Sequence, residues 1–181
     1  MKMRLMVLIT ALILTLASCS APAAKPADSV PAEPGFDETD LVFTLDGVKY
    51  PLCSDVEPLL EALDDDYEME AAESCVYVGE DKVFAYSDIV IYTNPIDGKD
   101  AFFLIEITGG GYQTSKGIKV GSTLDEVKAA YGDGGFQKDD MYIYSLSGDK
   151  EELKSRRLMF ELDDNGNVTI ISFIDPSTNL R

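Results

Sequence analysis

The feature that most constrains the fold is a repeat at a spacing of 68 residues. Residues 54–65 align with residues 122–133, and the two segments share Ser, acidic, apolar and Ala positions in the same order. The same offset aligns the dipeptide Asp97-Gly98 with Asn165-Gly166 without a gap. Agreement of a helix start and a hairpin turn at one spacing indicates an internal duplication. We therefore predict two repeats, at about residues 50–108 and 118–174.

Each repeat is predicted to begin with a helix. Ser54 and Glu57 form a capping-box pattern in the first repeat, and Ser122 or Thr123 caps the second. Apolar residues follow at helical spacing: Val56, Leu59, Leu60 and Leu63, then Leu124, Val127, Ala130 and Tyr131, with Gly132 ending the second helix. Helices this short are unstable alone, so each must pack against a sheet.

Turn dipeptides divide the remaining chain into strands. Asp46-Gly47, Asp97-Gly98 and Asn165-Gly166 favour type I′ turns, whose backbone needs positive φ. The first dipeptide joins residues 41–45 and 48–52 as a leading β-hairpin. The other predicted strands are residues 75–78, 83–86, 88–93, 101–108, 141–146, 157–162 and 167–174. Because the connections are short, the predicted fold class is α+β: a helix followed by an antiparallel β-meander, in tandem repeat, with both helices on one sheet face.

Two helices leave one face of such a sheet open. Alternation places Tyr142 and Tyr144 on one side of their strand and Met141 and Ile143 on the other. We expect the open face to bind protein through Tyr142, Tyr144 and Met159, with Tyr77, Tyr86 and Tyr92 as further candidates. Tyrosine suits such a surface because it combines a large contact area with a polar tip. Tyrosines are also common in half-buried strands, so a purely structural role is the alternative for each.

The charge of the chain narrows the choice of partners. The sequence has 33 acidic and 15 basic residues, for a net charge of -18. A surface of this sign repels nucleic acid, which we exclude as a partner. The clusters Asp37-Glu38-Asp40 and Asp64-Asp65-Asp66 lack the ordered ligand spacing of a calcium site, and a solvated acidic face is the simpler interpretation. No metal or cofactor is predicted.

No pattern typical of an enzyme is found in the sequence. The chain has no histidine, the commonest general base. Gly109-Gly110-Gly111 is not followed by the Lys and Ser/Thr of a phosphate loop, and we interpret it as a flexible joint between the repeats. The segment 163–167 is interpreted as a hairpin turn because its glycine comes too early for a calcium loop. We predict that the protein is not an enzyme.

The N-terminal region has the features of an export signal. Lys2 and Arg4 precede an apolar run at residues 5–16, which is shorter than the roughly 20 residues that span a bilayer. The run ends in Leu16-Ala17-Ser18-Cys19, which resembles the lipobox of bacterial lipoproteins. The resemblance implies that residues 1–18 are a signal peptide and that Cys19 carries lipid. The protein would then be anchored to the outer face of the cell membrane, or to the outer membrane of a double-membraned bacterium. An ordinary signal peptide with a chance cysteine is the alternative.

The part that follows is predicted to be a tether and one folded domain. Residues 19–40 are rich in Pro, Ala and acidic residues and are expected to be disordered, whereas residues 41–181 form the single α+β domain. If Cys19 carries lipid, Cys53 and Cys75 are an even pair in an exported domain. They are a candidate disulfide, and two buried thiols are the alternative.

A second resemblance concerns the folded part. The segment from Gly117 to Val127, with its Gly-x-Ser-Thr and Glu-Val elements, and then Tyr131-Gly132, resembles small extracytoplasmic lipoproteins with a helix-plus-meander fold. This group includes the accessory lipoprotein of the outer-membrane assembly machinery and the tandem-repeat β-lactamase inhibitor protein. The resemblance implies a scaffold that binds proteins across a sheet face.

Three functions agree with these patterns. The first is a lipid-anchored module that binds another envelope or extracellular protein through an aromatic sheet face. The second is a lipoprotein that captures a small ligand or substrate, which would require a pocket with convergent polar groups. The third is an inhibitory or passive structural lipoprotein.

Overall fold

Ten strands and two helices make up the computed structural model, which describes residues 35–178. The strands are β1 (Val42–Leu45), β2 (Val48–Pro51), β3 (Glu68–Glu73), β4 (Glu80–Ala85), β5 (Ile89–Ile96), β6 (Lys99–Ile107), β7 (Phe136–Lys138), β8 (Met141–Ser145), β9 (Arg157–Leu162) and β10 (Val168–Ile174). The helices are α1 (Glu57–Leu63) and α2 (Leu124–Tyr131), and two 3₁₀ segments cover Glu38–Leu41 and Pro176–Thr178. The predicted signal peptide and Cys19 lie outside the described residues.

Eight of these strands form one sheet, in the order β3-β4-β5-β6-β10-β9-β8-β7. Every strand pair is antiparallel, and β1 and β2 form the separate leading hairpin that the sequence predicts. A four-stranded meander follows each helix, and the two meanders join where β6 pairs with β10. The fold is therefore α+β.

The hairpin turns follow the predicted chemistry in two cases of three. Asp46-Gly47 and Asp97-Gly98 have positive φ at both residues, as a type I′ turn requires. In the connection from β9 to β10, only Gly166 has positive φ, and its N–H donates to the Asp163 carbonyl at 2.9 Å. This is the geometry of a type I turn followed by a left-handed glycine, so the prediction of a type I′ turn at Asn165-Gly166 is wrong.

The two helices begin differently. Of the two predicted candidates, Ser122 and Thr123, it is Thr123 that caps α2, and it does so in a capping box with Glu126. The predicted cap at Ser54 is wrong, because α1 begins at Glu57 and its N-cap residue Val56 makes no side-chain hydrogen bond to the helix. The Ser54 hydroxyl instead donates to the Pro51 carbonyl at 2.7 Å.

The main cluster of buried apolar residues includes residues of the large sheet and of both helices. Leu59 and Leu63 of α1 and Val127 and Tyr131 of α2 are buried in the same cluster as the sheet residues. The Tyr131 ring lies 5.7 Å from that of Phe160 in β9. The leading hairpin closes the cluster, since Phe43 is fully buried and its ring lies 6.3 Å from that of Phe173.

The edge of the sheet differs from the prediction. Residues 75–78, predicted as a strand, lie in the loop between β3 and β4. The edge strand β3 was not predicted, because the sequence Glu-Met-Glu-Ala-Ala-Glu has little β propensity. Every residue of β3 is exposed, so pairing with β4 rather than burial accounts for its extended backbone.

The folded domain begins before the predicted boundary at residue 41. The Phe36 ring lies 5.4 Å from the Tyr144 ring and 6.4 Å from the Tyr131 ring. Asp40 is only 2% exposed and pairs with Lys116 at 2.9 Å. Residues 35–40 therefore belong to the domain and not to the tether.

The triglycine segment, Gly109-Gly110-Gly111, is held in place by hydrogen bonds to Asp88. The Asp88 side chain accepts the Gly111 N–H at 3.0 Å, and its backbone carbonyl accepts the Gly109 N–H at 3.2 Å. A Cβ at Gly109 would lie 2.3 Å from the Asp88 carboxylate. The close approach of Asp88, rather than the need for a joint, accounts for glycine at positions 109 and 111.

Candidate protein-binding face

The strand register defines two faces of the large sheet. Cross-strand neighbours on the core side are Tyr142, Phe160, Ile171, Ile107 and Ile89 in one row, and Tyr144, Leu158, Phe173, Ile105, Ile91 and Phe84 in the next. All of these residues are buried. Because side chains alternate along a strand, the residues between them point to the opposite side.

We call this opposite side the outer face and define it by two rows of cross-strand neighbours. The first row is Ile143, Met159, Ser172, Glu106 and Val90. The second row is Arg157, Ile174, Leu104, Tyr92 and Val83. Most of these side chains are partly exposed, although Ile143 and Ser172 are buried. The outer face thus crosses both meanders and combines a largely apolar centre with partial solvent exposure.

The prediction that Tyr142 and Tyr144 lie on an exposed face is wrong. Tyr142 is 6% exposed and Tyr144 is 1% exposed, and both pack in the core. The Tyr144 hydroxyl donates to the Gly132 carbonyl at 2.6 Å, and burial raises the pKa of Tyr144. Alternation correctly assigns the residues of β8 to two sides of the strand, but it does not show which side is buried. The buried side is the one with the tyrosines, whose cross-strand neighbours are Leu158 and Phe160.

Met159 and Tyr92, from the same set of predicted residues, lie on the outer face. The Tyr92 hydroxyl donates to Glu106 Oε2 at 3.0 Å, which fixes the ring on the face. Burial and the adjacent Glu106 carboxylate raise the pKa of Tyr92. A tyrosine and a carboxylate thus form a fixed polar group within the apolar centre.

The other two predicted tyrosines, Tyr77 and Tyr86, make contacts within the domain and do not lie on the outer face. The Tyr77 hydroxyl donates to the Thr178 carbonyl at 2.6 Å, which ties the loop between β3 and β4 to the C-terminal 3₁₀ segment. The Tyr86 ring packs on the core side, 5.3 Å from the Tyr67 ring, and its hydroxyl donates to the Asp64 carbonyl.

Acidic residues predominate around the outer face. The carboxylates that the strands place on this side of the sheet belong to Glu68, Glu70, Asp81, Glu106 and Glu161, whereas the strand cations are Lys138 and Arg157. A further cation, Lys150, lies over the Phe136 ring opposite Ile143, with its ammonium 5.4 Å from the ring centroid. The face therefore has the sign of the whole chain, whose net charge is -18.

Four residues of the two rows were not predicted. Val90 lies between Ile89 and Ile91, Glu106 lies between Ile105 and Ile107, Leu104 precedes Ile105, and Ile174 follows Phe173. The sequence does contain a sign of this face, because these strands have apolar residues on both of their sides. Assigning those residues to one face requires the register of β5, β6 and β10, which the sequence does not specify.

Two of the cavities near the sheet bear on the outer face and on ligand capture. One, of about 270 Å³, is lined by Val76, Asp81, Lys82, Val83, Tyr92, Thr93, Asn94 and Phe103. A larger one, of about 670 Å³, is open to solvent and is lined by Leu146, Ser147, Glu152, Lys154, Ser155, Arg156, Asp175 and Ser177. In the larger cavity, Arg156 forms an ion pair with Glu38 and lies 3.9 Å from Asp175.

The candidate disulfide is not formed in the structure. Cys53 and Cys75 are free thiols, and both residues are exposed, so the alternative of two buried thiols is not observed either. The Cys53 thiol donates to Asp175 Oδ2 at 3.4 Å. Local burial of the sulfur and the Asp175 carboxylate raise the pKa of Cys53 to about 12, which disfavours the reactive thiolate.

Within residues 35–178, no group of three or more His, Cys, Asp and Glu side chains is arranged to hold a metal ion. Neither α1 nor α2 is long and apolar enough to cross a membrane.

Comparisons with known proteins give little further information. No protein-family model matches the chain, and no curated protein matches it. Among solved structures, the chain is similar to the uncharacterized protein yfeY from Escherichia coli, with 13% sequence identity and a TM-score of 0.41. The match covers 68% of this chain and 92% of that one. This likeness assigns neither a fold family nor an activity to the chain.

Proposed function

We propose that the protein is a lipid-anchored extracytoplasmic module that binds another envelope or extracellular protein through the outer face. The observation that carries the proposal is the set of partly exposed apolar side chains Met159, Val90, Leu104 and Ile174, which lie in two adjacent cross-strand rows that cross both meanders. Partly exposed apolar side chains grouped on one side of a sheet are candidates for an interaction site.

In this proposal α1 and α2 both cover the core side and leave the outer face to the partner. The burial of Leu59, Leu63, Val127 and Tyr131 with the core-side sheet residues supports this arrangement. Helices on one side of a sheet bury that side and leave the other for binding.

The proposal includes a tandem duplication of helix and meander. The last residues of the helices, Leu63 and Tyr131, are 68 residues apart, the spacing of the sequence repeat. Ile105 and Phe173 have the same separation and are direct partners where β6 meets β10. A duplication joined at this pair would give the outer face its width, because each copy contributes four strands.

The chemistry of the face favours a partner with an apolar centre and basic residues around it. Interfaces usually have an apolar core with a polar rim, and complementary charge accelerates and selects association. Here Met159, Leu104 and Val90 supply the apolar centre, while Glu70 and Glu161 belong to the acidic surroundings.

Crosslinking from defined positions tests whether the outer face binds a partner protein. A photoreactive amino acid is placed at Val90 or Met159 on the outer face, and at Glu61, an exposed position of α1, as the matched control. We expect one and the same protein to be captured in cells from both outer-face positions and not from Glu61. Capture from all three positions, or different proteins from the two outer-face positions, would contradict the proposal.

The anchor rests on Leu16-Ala17-Ser18-Cys19, and residues 20–34 would link it to the domain. Two or three acyl chains on one cysteine give stable anchoring where one chain does not. We expect Cys19→Ala to move the protein from the detergent phase to the aqueous phase in detergent phase partitioning. Cys53→Ala, the control, should stay in the detergent phase. A Cys19→Ala protein that remains there would overturn the lipid anchor.

The cavity of about 670 Å³ favours small-ligand capture as a second candidate function. Its size falls within the range of about 300 to 1,000 Å³ that is common for ligand sites. Native mass spectrometry of the protein purified from cells discriminates the two functions. Ligand capture predicts a bound small molecule that Arg156→Gln removes, whereas protein binding predicts none.

A further inference from the structure

A cavity of about 270 Å³ lies at the β4 and β5 side of the outer face. Its lining includes Asp81 and Val83 of β4 and Tyr92 of β5, together with Val76 from the loop between β3 and β4. Clefts that hold drug-sized ligands have about 300 Å³ or more, so this cavity is suited to a single side chain.

The carboxylate of Asp81 is incompletely paired. Asp81 Oδ1 is buried and has no hydrogen-bond partner among residues 35–178. The neighbouring Lys82 does not supply one, because its ammonium donates to Asp100 Oδ2 at 2.8 Å. A buried carboxylate oxygen without a donor is unfavourable, so a ligand that donates hydrogen bonds would be stabilised here when the Asp81 carboxylate rotates toward the cavity.

The walls of the cavity favour a planar cation. Tyr92 and Phe103 contribute aromatic rings, and the hydrogen bond to Glu106 holds the Tyr92 ring in place. A guanidinium group pairs with carboxylates through parallel N–H donors, stacks on aromatic rings and is less strongly hydrated than an ammonium group. Val76 and Val83 can contact an aliphatic stem.

We propose that this cavity receives an arginine side chain of the partner protein, with its guanidinium group against Asp81 and the aromatic rings. The inference rests on the proposed protein-binding function and specifies one contact within it. The acidic surroundings of the outer face favour such a basic partner, and arginine is among the residues that contribute most to binding at interfaces.

The cavity can be tested without knowing the partner. The full chain, purified in the form that cells produce and labelled with ¹⁵N, is titrated with N-acetyl-arginine amide and followed by NMR. N-acetyl-citrulline amide is the neutral control, and N-acetyl-lysine amide tests the requirement for a planar cation. We expect saturable shifts at the amides of Asp81, Val83 and Tyr92 with arginine, weaker shifts with lysine and none with citrulline.

Two variants assign the contact. Asp81→Asn should weaken arginine binding about tenfold, because it removes the charge from the hydrogen bond. Glu61→Gln, which removes a carboxylate from an exposed position of α1, should leave it unchanged. A thermal unfolding curve of Asp81→Asn like that of the parent protein shows that the fold is intact.

Three results would overturn the inference. In the first, the citrulline compound binds with the same affinity as the arginine compound. In the second, the Asp81→Asn variant binds the arginine compound with the same affinity as the parent protein. In the third, the arginine compound binds the Arg181→Ala variant but not the parent protein. The last result would mean that the chain's own terminal arginine occupies the cavity. Crosslinking from Val90 and Met159 tests the function separately. If arginine binds as expected but no partner is captured, the proposed function fails while the cavity assignment stands.

Discussion

Asp64 and Gly132 end their helices with nearly the same backbone angles. Asp64 has φ 91° and ψ 179°, and Gly132 has φ 79° and ψ -178°. The two residues are 68 positions apart in the sequence. Positive φ with extended ψ is almost restricted to glycine, so the first helix ends in a strained conformation that the second helix adopts without strain.

This relationship predicts opposite effects at the two helix ends. Asp64→Gly should stabilise the protein by about 1 kcal/mol, because relief of about 1 to 3 kcal/mol of strain exceeds the entropic cost of glycine. Gly132→Ala should destabilise it by about 1 to 3 kcal/mol, since it introduces the strain. Urea unfolding followed by circular dichroism measures both. Changes of the same sign would contradict the equivalence of the two ends.

The triglycine segment offers a matched series. Gly109→Ala should destabilise the protein by about 1 to 3 kcal/mol, because the new methyl group would overlap the Asp88 carboxylate. Gly110→Ala should change the free energy of unfolding by less than about 0.5 kcal/mol, since no atom lies within 4 Å of the position that the alanine Cβ would take. In an Asp88→Ala background, the cost of Gly109→Ala should shrink. An equal cost in both backgrounds would show that Asp88 is not the reason for the glycine.

Substitutions on the two sides of the sheet should differ in cost. Tyr144→Ala is expected to cost about 3 to 5 kcal/mol because it leaves a cavity in the core. Tyr144→Phe should cost about 0.5 to 1.5 kcal/mol for the lost hydrogen bond to Gly132. Met159→Ala on the outer face should cost about 1 kcal/mol or less. Denaturant unfolding gives all three values, and a cost at Met159 equal to that at Tyr144 would show that the faces are wrongly assigned.

Alkaline pH should unfold the protein through its buried tyrosines. Burial raises the pKa of Tyr86 to about 12 and raises those of Tyr131 and Tyr144 as well. Because the pKa of tyrosine in the unfolded chain is about 10, the protonated form contributes stability below that pH, and this contribution is lost as pH rises through the folded-state values.

Tyrosinate absorbance measures this loss directly, since the chain has nine tyrosines and no tryptophan. We expect the last tyrosines to ionise together with the loss of the circular dichroism signal. Complete ionisation near pH 10, at about the unfolded pKa, with the fold intact would contradict the burial of these rings.

The local elements could be predicted where short-range chemistry specifies them. Residues 157–162 were predicted as a strand with the bounds that β9 has, and the Thr123 cap of α2 follows from a capping box of adjacent residues. In contrast, β3 owes its extended backbone to pairing with β4 rather than to its composition. Propensity alone cannot reveal a strand of this kind.

The outer face could not be predicted from the sequence, for a different reason. Alternation gives two sets of side chains per strand, but only the register decides which sets of eight strands share a side. Tyr144 therefore seemed suited to an open face, although it packs beneath Phe36 and against Tyr131. The position of Phe36 follows from contacts with residues more than 90 positions away, and its acidic, Pro-rich neighbours gave no sign of them.

The central claim is that a basic partner docks on the outer face. The most direct test compares Met159→Lys with Met159→Glu, each combined with the photoreactive amino acid at Val90, and measures the yield of the captured partner. Both substitutions place a charge at one apolar position, so their desolvation costs are similar and the sign of the charge decides between them. We expect Met159→Glu to retain several-fold more partner than Met159→Lys. Equal yields, or a higher yield with Met159→Lys, would contradict the claim.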